Sequence, residues 1–269
     1  MTRDVLMHAS PPADATHRVT LGDATLEAMV WGENPGLVLL HEGLGSVSLW
    51  RDFPRHLAAR TGLGVFVWSR RGYGRSTPAR LPAPLDYMQR EAALLPRLLD
   101  AAGIGRCTLV GHSDGGTIAA LARDERIAAR VLIAPHFFVE DVSVSSIRAI
   151  GQRYGELRPR LARHHLDPDT VFRFWHDAWL DPGFPEALYL DAECRSMPGP
   201  ALVVQGTRDQ YGTIAHARFL AERAPGPVEI AVVDGAHAPH LEAAEATLEA
   251  VERFLAAHYI SCTPKISAL

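Results

Sequence analysis

The chain opens with alternating apolar and polar residues and then changes to short, continuous apolar runs. The alternating stretches, 19–21 and 24–31, flank the turn dipeptide Gly22-Asp23, which predicts a β-hairpin. The later runs are short enough for strands that are buried on both faces of a sheet. These runs are 37–40, 65–68, 107–110, 131–134, 201–204 and 228–233. The pattern therefore predicts a sheet that begins with a hairpin and continues with buried strands.

Amphipathic helices separate most of these strands. Apolar residues recur there every three or four positions, a spacing that places them on one helix face. The helical stretches are 50–60, 86–102, 115–123, 214–223 and 241–258. Strands that alternate with helices predict an α/β fold with a doubly wound, mostly parallel sheet.

Residues 142–198 interrupt this alternation because they carry helical patterns but no convincing strand. A crossover between parallel strands needs only about a dozen residues, so the excess predicts a helical cap inserted over one end of the sheet. We expect a core of residues 18–141 and 199–260, with an N-terminal extension at 1–17 and a separate tail at 261–269.

Composition narrows the classes of protein and partner. The length of 269 residues, with 47% hydrophobic and 22% charged residues, fits one large globular domain with an insertion. The formal net charge of −4 provides no basic surface for nucleic acid or an anionic membrane. We therefore expect a small-molecule partner, no nucleic acid and no membrane, and the sequence leaves a homo-oligomer open.

The cysteines and the N-terminus predict a cytoplasmic protein. The three cysteines, Cys107, Cys194 and Cys262, are widely spaced and odd in number, which fits neither a disulfide framework nor a metal motif. The first 18 residues lack the apolar run of a signal peptide. No segment reaches the roughly 18 consecutive apolar residues of a membrane helix.

The most informative motif is Gly-x-Ser-x-Gly at 111–115, which lies between a predicted strand and a predicted helix. A strand that turns sharply into a helix strains the central residue, and only small neighbours let the chain pass so closely. The motif therefore predicts that Ser113 is a nucleophile above the sheet, beside a helix N-terminus that favours negative charge.

A serine nucleophile needs a histidine base and an orienting carboxylate. Asp209 and His237 each follow a predicted strand, in the order Ser, Asp, His along the chain. Residues that follow parallel strands gather at one edge of the sheet. The sequence therefore predicts a triad of Ser113, Asp209 and His237.

These motifs resemble the α/β-hydrolase fold family, and the resemblance runs from about residue 18 to residue 258. It rests on the motif at 111–115, on Asp209, on Gly235-Ala236-His237 and on the loop at 41–45, which reads His-Glu-Gly-Leu-Gly. The resemblance implies that the backbone N–H of Asp114 is one oxyanion-hole donor. It implies that Glu42 or Gly43 supplies the second donor, with Leu44 next in order.

Two triad positions have competitors. His240 lies three residues after His237, but His237 directly follows the strand and Gly235-Ala236 and so fits the family pattern better. Glu140 and Asp141 follow the sixth strand, where some members of this fold place the acid; the Gly-x-x-Asp context favours Asp209.

Four residues are weaker candidates for substrate binding. Trp175 and Trp179 lie on one face of a predicted cap helix together with Phe172 and His176. Such a face could line an acyl or aromatic pocket, but it is more often the cap's own core or docking surface. Leu44 lies in the oxyanion loop, and His112 directly precedes the nucleophile. We expect no metal, because the histidine spacing matches no zinc motif. We expect no cofactor, because acyl transfer through a serine requires none.

The motifs predict acyl transfer to water through an acyl-serine. The main hypothesis is a hydrolase of small carboxylic esters or lactones. One alternative is a C–C bond hydrolase of aromatic ring-cleavage products, which uses the same three residues. Another is a ligand receptor that keeps the fold without turnover.

Overall fold

An eight-stranded sheet forms the centre of the protein. The computed structural model describes residues 15–258. The strands are β1 (Ala15–Leu21), β2 (Ala24–Trp31), β3 (Pro35–Leu40), β4 (Gly64–Trp68), β5 (Cys107–His112), β6 (Ile127–Ile133), β7 (Ala201–Gly206) and β8 (Val228–Val233). Their order across the sheet is β1-β2-β4-β3-β5-β6-β7-β8. The β1/β2 hairpin and the β2/β4 pair are antiparallel, and all other pairs are parallel. The predicted α/β fold with a mostly parallel sheet is confirmed.

Helices connect the parallel strands and cover both faces of the sheet. They are α1 (Phe53–Thr61), α2 (Tyr87–Ala101), α3 (Asp114–Leu121), α4 (Asp141–Gln152), α5 (Tyr154–Leu161), α6 (Pro168–Trp179), α7 (Phe184–Ala187), α8 (Asp191–Arg195), α9 (Ala215–Arg223), α10 (Pro239–Glu242) and α11 (Ala244–Ala257). A short 3-10 helix, Val47–Trp50, precedes α1. The helix predicted over 50–60 thus begins only at Phe53, and that predicted over 241–258 is interrupted at Ala243.

Alternate residues of each central strand enter different cores. In β3, Val38 and Leu40 belong to the core shared with α2, α3 and the cap helices. Leu37 and Leu39 belong to the core shared with α1 and α11. Because successive strand residues point to opposite faces, a strand covered on both sides must be apolar throughout.

Strand β8 departs from this rule. It lies at the edge of the sheet, where Ile230 and Val232 are 40% and 56% exposed. The prediction that this run is buried on both faces is therefore wrong, because an apolar run alone does not distinguish an edge strand from a central one.

The boundaries of the segments differ slightly from those predicted. Strand β1 begins at Ala15, so the extension predicted at 1–17 ends too late by three residues. Helices α4–α8 lie between β6 and β7, and α4 begins at Asp141, one residue before the predicted start of the cap. The tail predicted at 261–269 lies outside the described residues. Within residues 15–258, no helix has the length and apolarity needed to cross a bilayer.

Candidate active site

The turn from β5 into α3 holds Ser113 in a backbone conformation that serine rarely adopts. Its φ is 52° and its ψ is −119°, and a positive φ is costly for a residue with a side chain. A Cβ at Gly115 would collide with the carbonyl of Leu40, and one at Gly111 would collide with the carbonyl of Gly115. The glycines of the motif are therefore required by the close approach of three backbone segments.

Three side chains from three loops form one chain of hydrogen bonds. The Nε2 atom of His237 lies 2.9 Å from Oγ of Ser113. The Nδ1 atom of His237 lies 2.9 Å from both carboxylate oxygens of Asp209. Because a carboxylate only accepts hydrogen bonds, Nδ1 carries a proton and leaves Nε2 free to accept one from Ser113. The structure thus brings the three predicted residues together in a geometry suited to proton transfer.

Backbone and side-chain donors fix the carboxylate of Asp209. Its Oδ1 atom accepts the N–H groups of Tyr211 at 2.8 Å and Gly212 at 3.2 Å, and its Oδ2 atom accepts Nε2 of Gln205 at 2.9 Å. Burial raises the pKa of Asp209, but the hydrogen bonds from His237, Tyr211 and Gly212 outweigh it, so the pKa is lower than usual. Asp209 is therefore a carboxylate at neutral pH.

The competing residues lie elsewhere. His240 is buried behind the site, with its ring 4.5 Å from that of His112 and 4.8 Å from that of Trp50. Glu140 lies 3.0 Å from Nε2 of His216 and accepts the backbone N–H and the hydroxyl of Thr213. Among the contacts of the described residues, neither His240 nor Glu140 occupies the hydrogen-bond chain of Ser113.

Donors from three sides hold the loop predicted to supply the second oxyanion donor. The backbone carbonyl of Glu42 accepts the N–H of Gly45 at 3.0 Å, Nη2 of Arg70 at 3.0 Å and Nδ1 of His41 at 2.7 Å. The indole of Trp175 packs so closely on Gly43 that a Cβ there would collide with it. The loop is therefore fixed before any substrate binds, which electrostatic stabilisation of an oxyanion requires.

A cavity of about 470 Å³, including its open mouth, lies above Ser113. Its apolar and aromatic wall is formed by Leu44, Ile147, Trp175, Trp179 and Tyr211, and its remaining lining by Glu42, Gly43, Ser113, His136, Ser143 and His237. In the part of the chain that the structure describes, no lysine or arginine lines it.

Of the four weaker candidates for substrate binding, three line the cavity and one does not. Leu44, Trp175 and Trp179 line it. His112 is not among the lining residues. Its ring is 3% exposed and its Nε2–H donates to the backbone carbonyl of His237 at 2.7 Å. Because His112 precedes Ser113 at the end of a strand, its side chain points to the opposite side.

Comparison with known proteins identifies the family. A model of the Alpha/beta hydrolase family matches residues 37–250. The chain belongs to the alpha/beta hydrolase family. It is 32% identical over 263 residues to polyketide synthase ThaQ of Burkholderia thailandensis, a match that covers 87% of this chain and 12% of ThaQ. It is 29% identical over 203 residues to serine hydrolase BPHL of Homo sapiens, covering 71% of this chain and 69% of BPHL.

Solved structures agree on the fold. The enol-lactonase from Burkholderia xenovorans LB400 has a TM-score of 0.68 with this chain at 21% sequence identity. The match covers 89% of this chain and 100% of the enol-lactonase. The chain spans only a small part of the length of ThaQ and about two thirds of the length of BPHL.

His136, which follows β6 and lines the cavity of this alpha/beta hydrolase, was not predicted from the sequence. Its ring centroid lies 5.6 Å from that of His237 and 5.1 Å from that of Trp179. Burial and the neighbouring His216 and His237 lower the pKa of His136 well below its ordinary range, so the ring is neutral at pH 7. The available signal was its place just beyond the carboxyl end of a parallel strand, the same signal that located Asp209 and His237.

Proposed function

We propose that this alpha/beta hydrolase is a serine hydrolase that cleaves small carboxylic esters or lactones through an acyl-serine intermediate. The observation that carries the proposal is the hydrogen-bond chain from Ser113 through His237 to Asp209 at the floor of the cavity. Family membership and the serine hydrolase and enol-lactonase among the similar proteins support a hydrolytic enzyme.

The geometry supports a two-step acyl transfer. Oγ of Ser113 attacks the ester carbonyl carbon while its proton passes to Nε2 of His237, and the carbonyl electron pair moves onto oxygen. The N–H groups of Asp114 and of the loop at Glu42 and Gly43 stabilise this oxyanion. When the intermediate collapses, the alkoxide leaves and takes the proton from His237.

Water then completes the cycle. A water molecule attacks the acyl carbon and gives a proton to His237, and the second tetrahedral intermediate expels the oxygen of Ser113, which regains that proton. Asp209 stays ionised and stabilises the imidazolium that forms in each step.

The charges around the cavity favour esters and lactones over ring-cleavage diketones. Diketones of that class carry a carboxylate, which needs a cationic partner when it leaves water. The described lining offers no arginine or lysine to pair with such a substrate. A receptor without turnover would not require the proton path from Ser113 to His237.

Labelling and hydrolysis test the proposal together. We expect a fluorophosphonate probe to label the wild type at Ser113 and p-nitrophenyl acetate and butyrate to be hydrolysed. The Ser113→Ala variant should lose both, whereas Ser146→Ala is a matched control because its hydroxyl donates to the carbonyl of Gln210 on an exposed surface. A wild type that neither labels nor hydrolyses either ester would overturn the enzymatic function. A panel of short lactones, alkyl esters and ring-cleavage diketones then separates the substrate classes.

A further inference from the structure

His136 lines the catalytic cavity but has no role in the acyl transfer described above. It follows β6, and its ring centroid lies 5.6 Å from that of His237. The side chain is 2% exposed. A buried polar side chain normally has a hydrogen-bond partner, so an imidazole without one beside the catalytic base calls for an explanation.

The helix that follows the nucleophile fixes the backbone of His136. Oγ1 of Thr117, on α3, accepts the N–H of His136 at 3.0 Å and donates to its carbonyl at 2.7 Å. The N–H of Thr117 in turn donates to the carbonyl of Ser113 at 3.0 Å. Ala134, two residues before His136, has a φ of 47°, which is costly for a residue with a Cβ. The same helix therefore positions the nucleophile and His136.

Three neighbours hold the ring of His136 in place. Its Cε1 and Nδ1 atoms lie against Gly212, where a Cβ would stand 2.9 Å and 3.2 Å from them. The rings of Trp179 and His216 pack against it edge to face, with centroids 5.1 Å and 5.0 Å away. The ring is thus oriented before substrate binds, as a group that stabilises a transition state must be.

The two ring nitrogens of His136 differ in their surroundings. Nδ1 is buried and has no hydrogen-bond partner among the residues that the structure describes. Nε2 also has no partner in that part of the chain, but unlike Nδ1 it is not sealed from the cavity. Because a buried N–H without an acceptor costs more than an unpaired lone pair, the proton of the neutral ring belongs on Nε2. His136 therefore presents an unused N–H group to the cavity.

The leaving oxygen of an ester comes to the same part of the cavity. It must lie within hydrogen-bond distance of Nε2 of His237, because it takes the proton that this atom carries. An N–H···O hydrogen bond spans about 2.9 Å, so two imidazoles whose centres lie 5.6 Å apart can both bond one oxygen between them. An N–H group of His136 would meet the negative charge that develops on this oxygen as the carbon–oxygen bond breaks.

We propose that His136 is a second catalytic histidine, which donates a hydrogen bond from Nε2–H to the leaving oxygen of the ester. When the carbon–oxygen bond breaks, its electron pair passes to the leaving oxygen, which takes its proton from His237, whereas His136 keeps its own proton. In deacylation the attacking water takes the place of the leaving group and accepts the same hydrogen bond. The inference rests on the proposed function and extends it, because such a donor favours alkyl esters and lactones, whose alkoxide leaving groups are strongly basic.

Two butyrate esters that differ only in the leaving group test the inference. Ethoxide is strongly basic and gains from the donor, whereas p-nitrophenolate is weakly basic and leaves without it. In His136→Leu we expect kcat/KM, which reports acylation, to fall on the order of ten- to a hundredfold for ethyl butyrate and less than about threefold for p-nitrophenyl butyrate. His136→Gln places an amide N–H near the position of Nε2 and should restore most of the wild-type ratio between the esters. His240→Leu removes a buried histidine outside the cavity lining and should keep that ratio.

Equal losses with both esters in His136→Leu, or no recovery of the ratio in His136→Gln, would overturn the inference and leave the ester hydrolase intact. A measurement on the wild type protects the test against a poorly folded variant. Nitrogen NMR of the histidine rings should show His136 as the Nε2–H tautomer, and the Nδ1–H tautomer would contradict the proposed donor. A wild type that hydrolyses neither ester would instead overturn the proposed function.

Discussion

Replacing Asp209 by Asn removes the negative charge beside His237 while preserving the shape of the side chain. The N–H groups of Tyr211 and Gly212 both donate to Oδ1 of Asp209. These donors orient the amide of the variant, so its oxygen takes the place of Oδ1 and its NH₂ group takes the place of Oδ2. Nδ1 of His237 lies 2.9 Å from both positions and so retains an acceptor in the variant. Nε2 of Gln205 donates to Oδ2 in the wild type and loses this acceptor in the variant.

The expected loss is mainly electrostatic. His237 becomes an imidazolium in the transition state, with its charge roughly 4 Å from that of Asp209, and such a pair interacts by ~4 kcal/mol at an effective dielectric constant of about 20. At about 1.4 kcal/mol per tenfold change in rate, this corresponds to a loss on the order of 10³-fold in kcat. The NH₂ group can also donate to Nδ1 and favour the wrong tautomer of His237, which would increase the loss towards ~10⁴-fold.

The assay is the steady-state hydrolysis of p-nitrophenyl butyrate by the wild type, Asp209→Asn and Glu140→Gln. Circular dichroism and the thermal unfolding midpoint check that each variant folds. The reasoning fails if Asp209→Asn retains more than about a tenth of the wild-type kcat while folded. It also fails if Glu140→Gln loses as much activity as Asp209→Asn, because the competing carboxylate would then be the acid.

Two further predictions concern the nucleophile turn and pH-dependent stability. Gly115→Ala forces a Cβ against the carbonyl of Leu40, so we expect the free energy of unfolding to fall by about 3 kcal/mol or more and the thermal midpoint to fall by roughly 6–12 °C. In the control Gly105→Ala the new Cβ meets nothing within 4 Å, so the midpoint should be almost unchanged. Equal midpoints for the two variants would contradict the argument. The hydrogen bond with His216 lowers the pKa of Glu140 to about 2, so its contribution to stability is present above about pH 4.5 and is lost as pH falls towards 2. The difference in urea midpoint between the wild type and Glu140→Gln should therefore shrink between pH 6 and pH 3, and a constant difference would refute this assignment.

The sequence alone was enough to predict the site residues whose positions follow from backbone constraints. Gly111 and Gly115 are needed because backbone atoms pass too close for any Cβ, and this need is visible in the spacing of the motif. Asp209 and His237 could be placed because residues after parallel strands meet at one edge. These arguments need the local pattern and the direction of the strands, and both can be read from the chain.

The sequence alone did not predict features that depend on contacts with distant segments of the chain. Strand β6 begins at Ile127. The apolar run that predicted this strand begins only at residue 131, because Arg130 interrupts the apolar pattern. The guanidinium of Arg130 is fully buried and donates to the carbonyls of Ala119, Ala122 and Pro198. Those partners lie on other segments, so the apolar pattern offers no reason to place an arginine inside a core strand.

Distance along the chain also misled the assignment of substrate contacts. His112 is the neighbour of Ser113 in sequence but faces away from the cavity, whereas His136 is far from Ser113 in sequence and lines it. The alternation of side chains at the end of a strand explains the first case. The second case follows from the place of His136 just beyond the carboxyl end of β6, the same position relative to a strand that Asp209 and His237 have.

A chain of hydrogen bonds joins the cap to the nucleophile turn. Nε1–H of Trp179, on helix α6, donates to Oη of Tyr87 at 3.1 Å, and the hydroxyl of Tyr87 donates to Oδ2 of Asp114 at 2.6 Å. Asp114 carries one proposed oxyanion donor on its backbone, and Trp179 forms part of the cavity wall above it. The same contacts therefore fix both the position of Trp179 in the cavity wall and the position of the backbone N–H of Asp114. A cap that shifted would disturb both substrate fit and oxyanion binding, so the inserted helices and the hydrolase core act as one site.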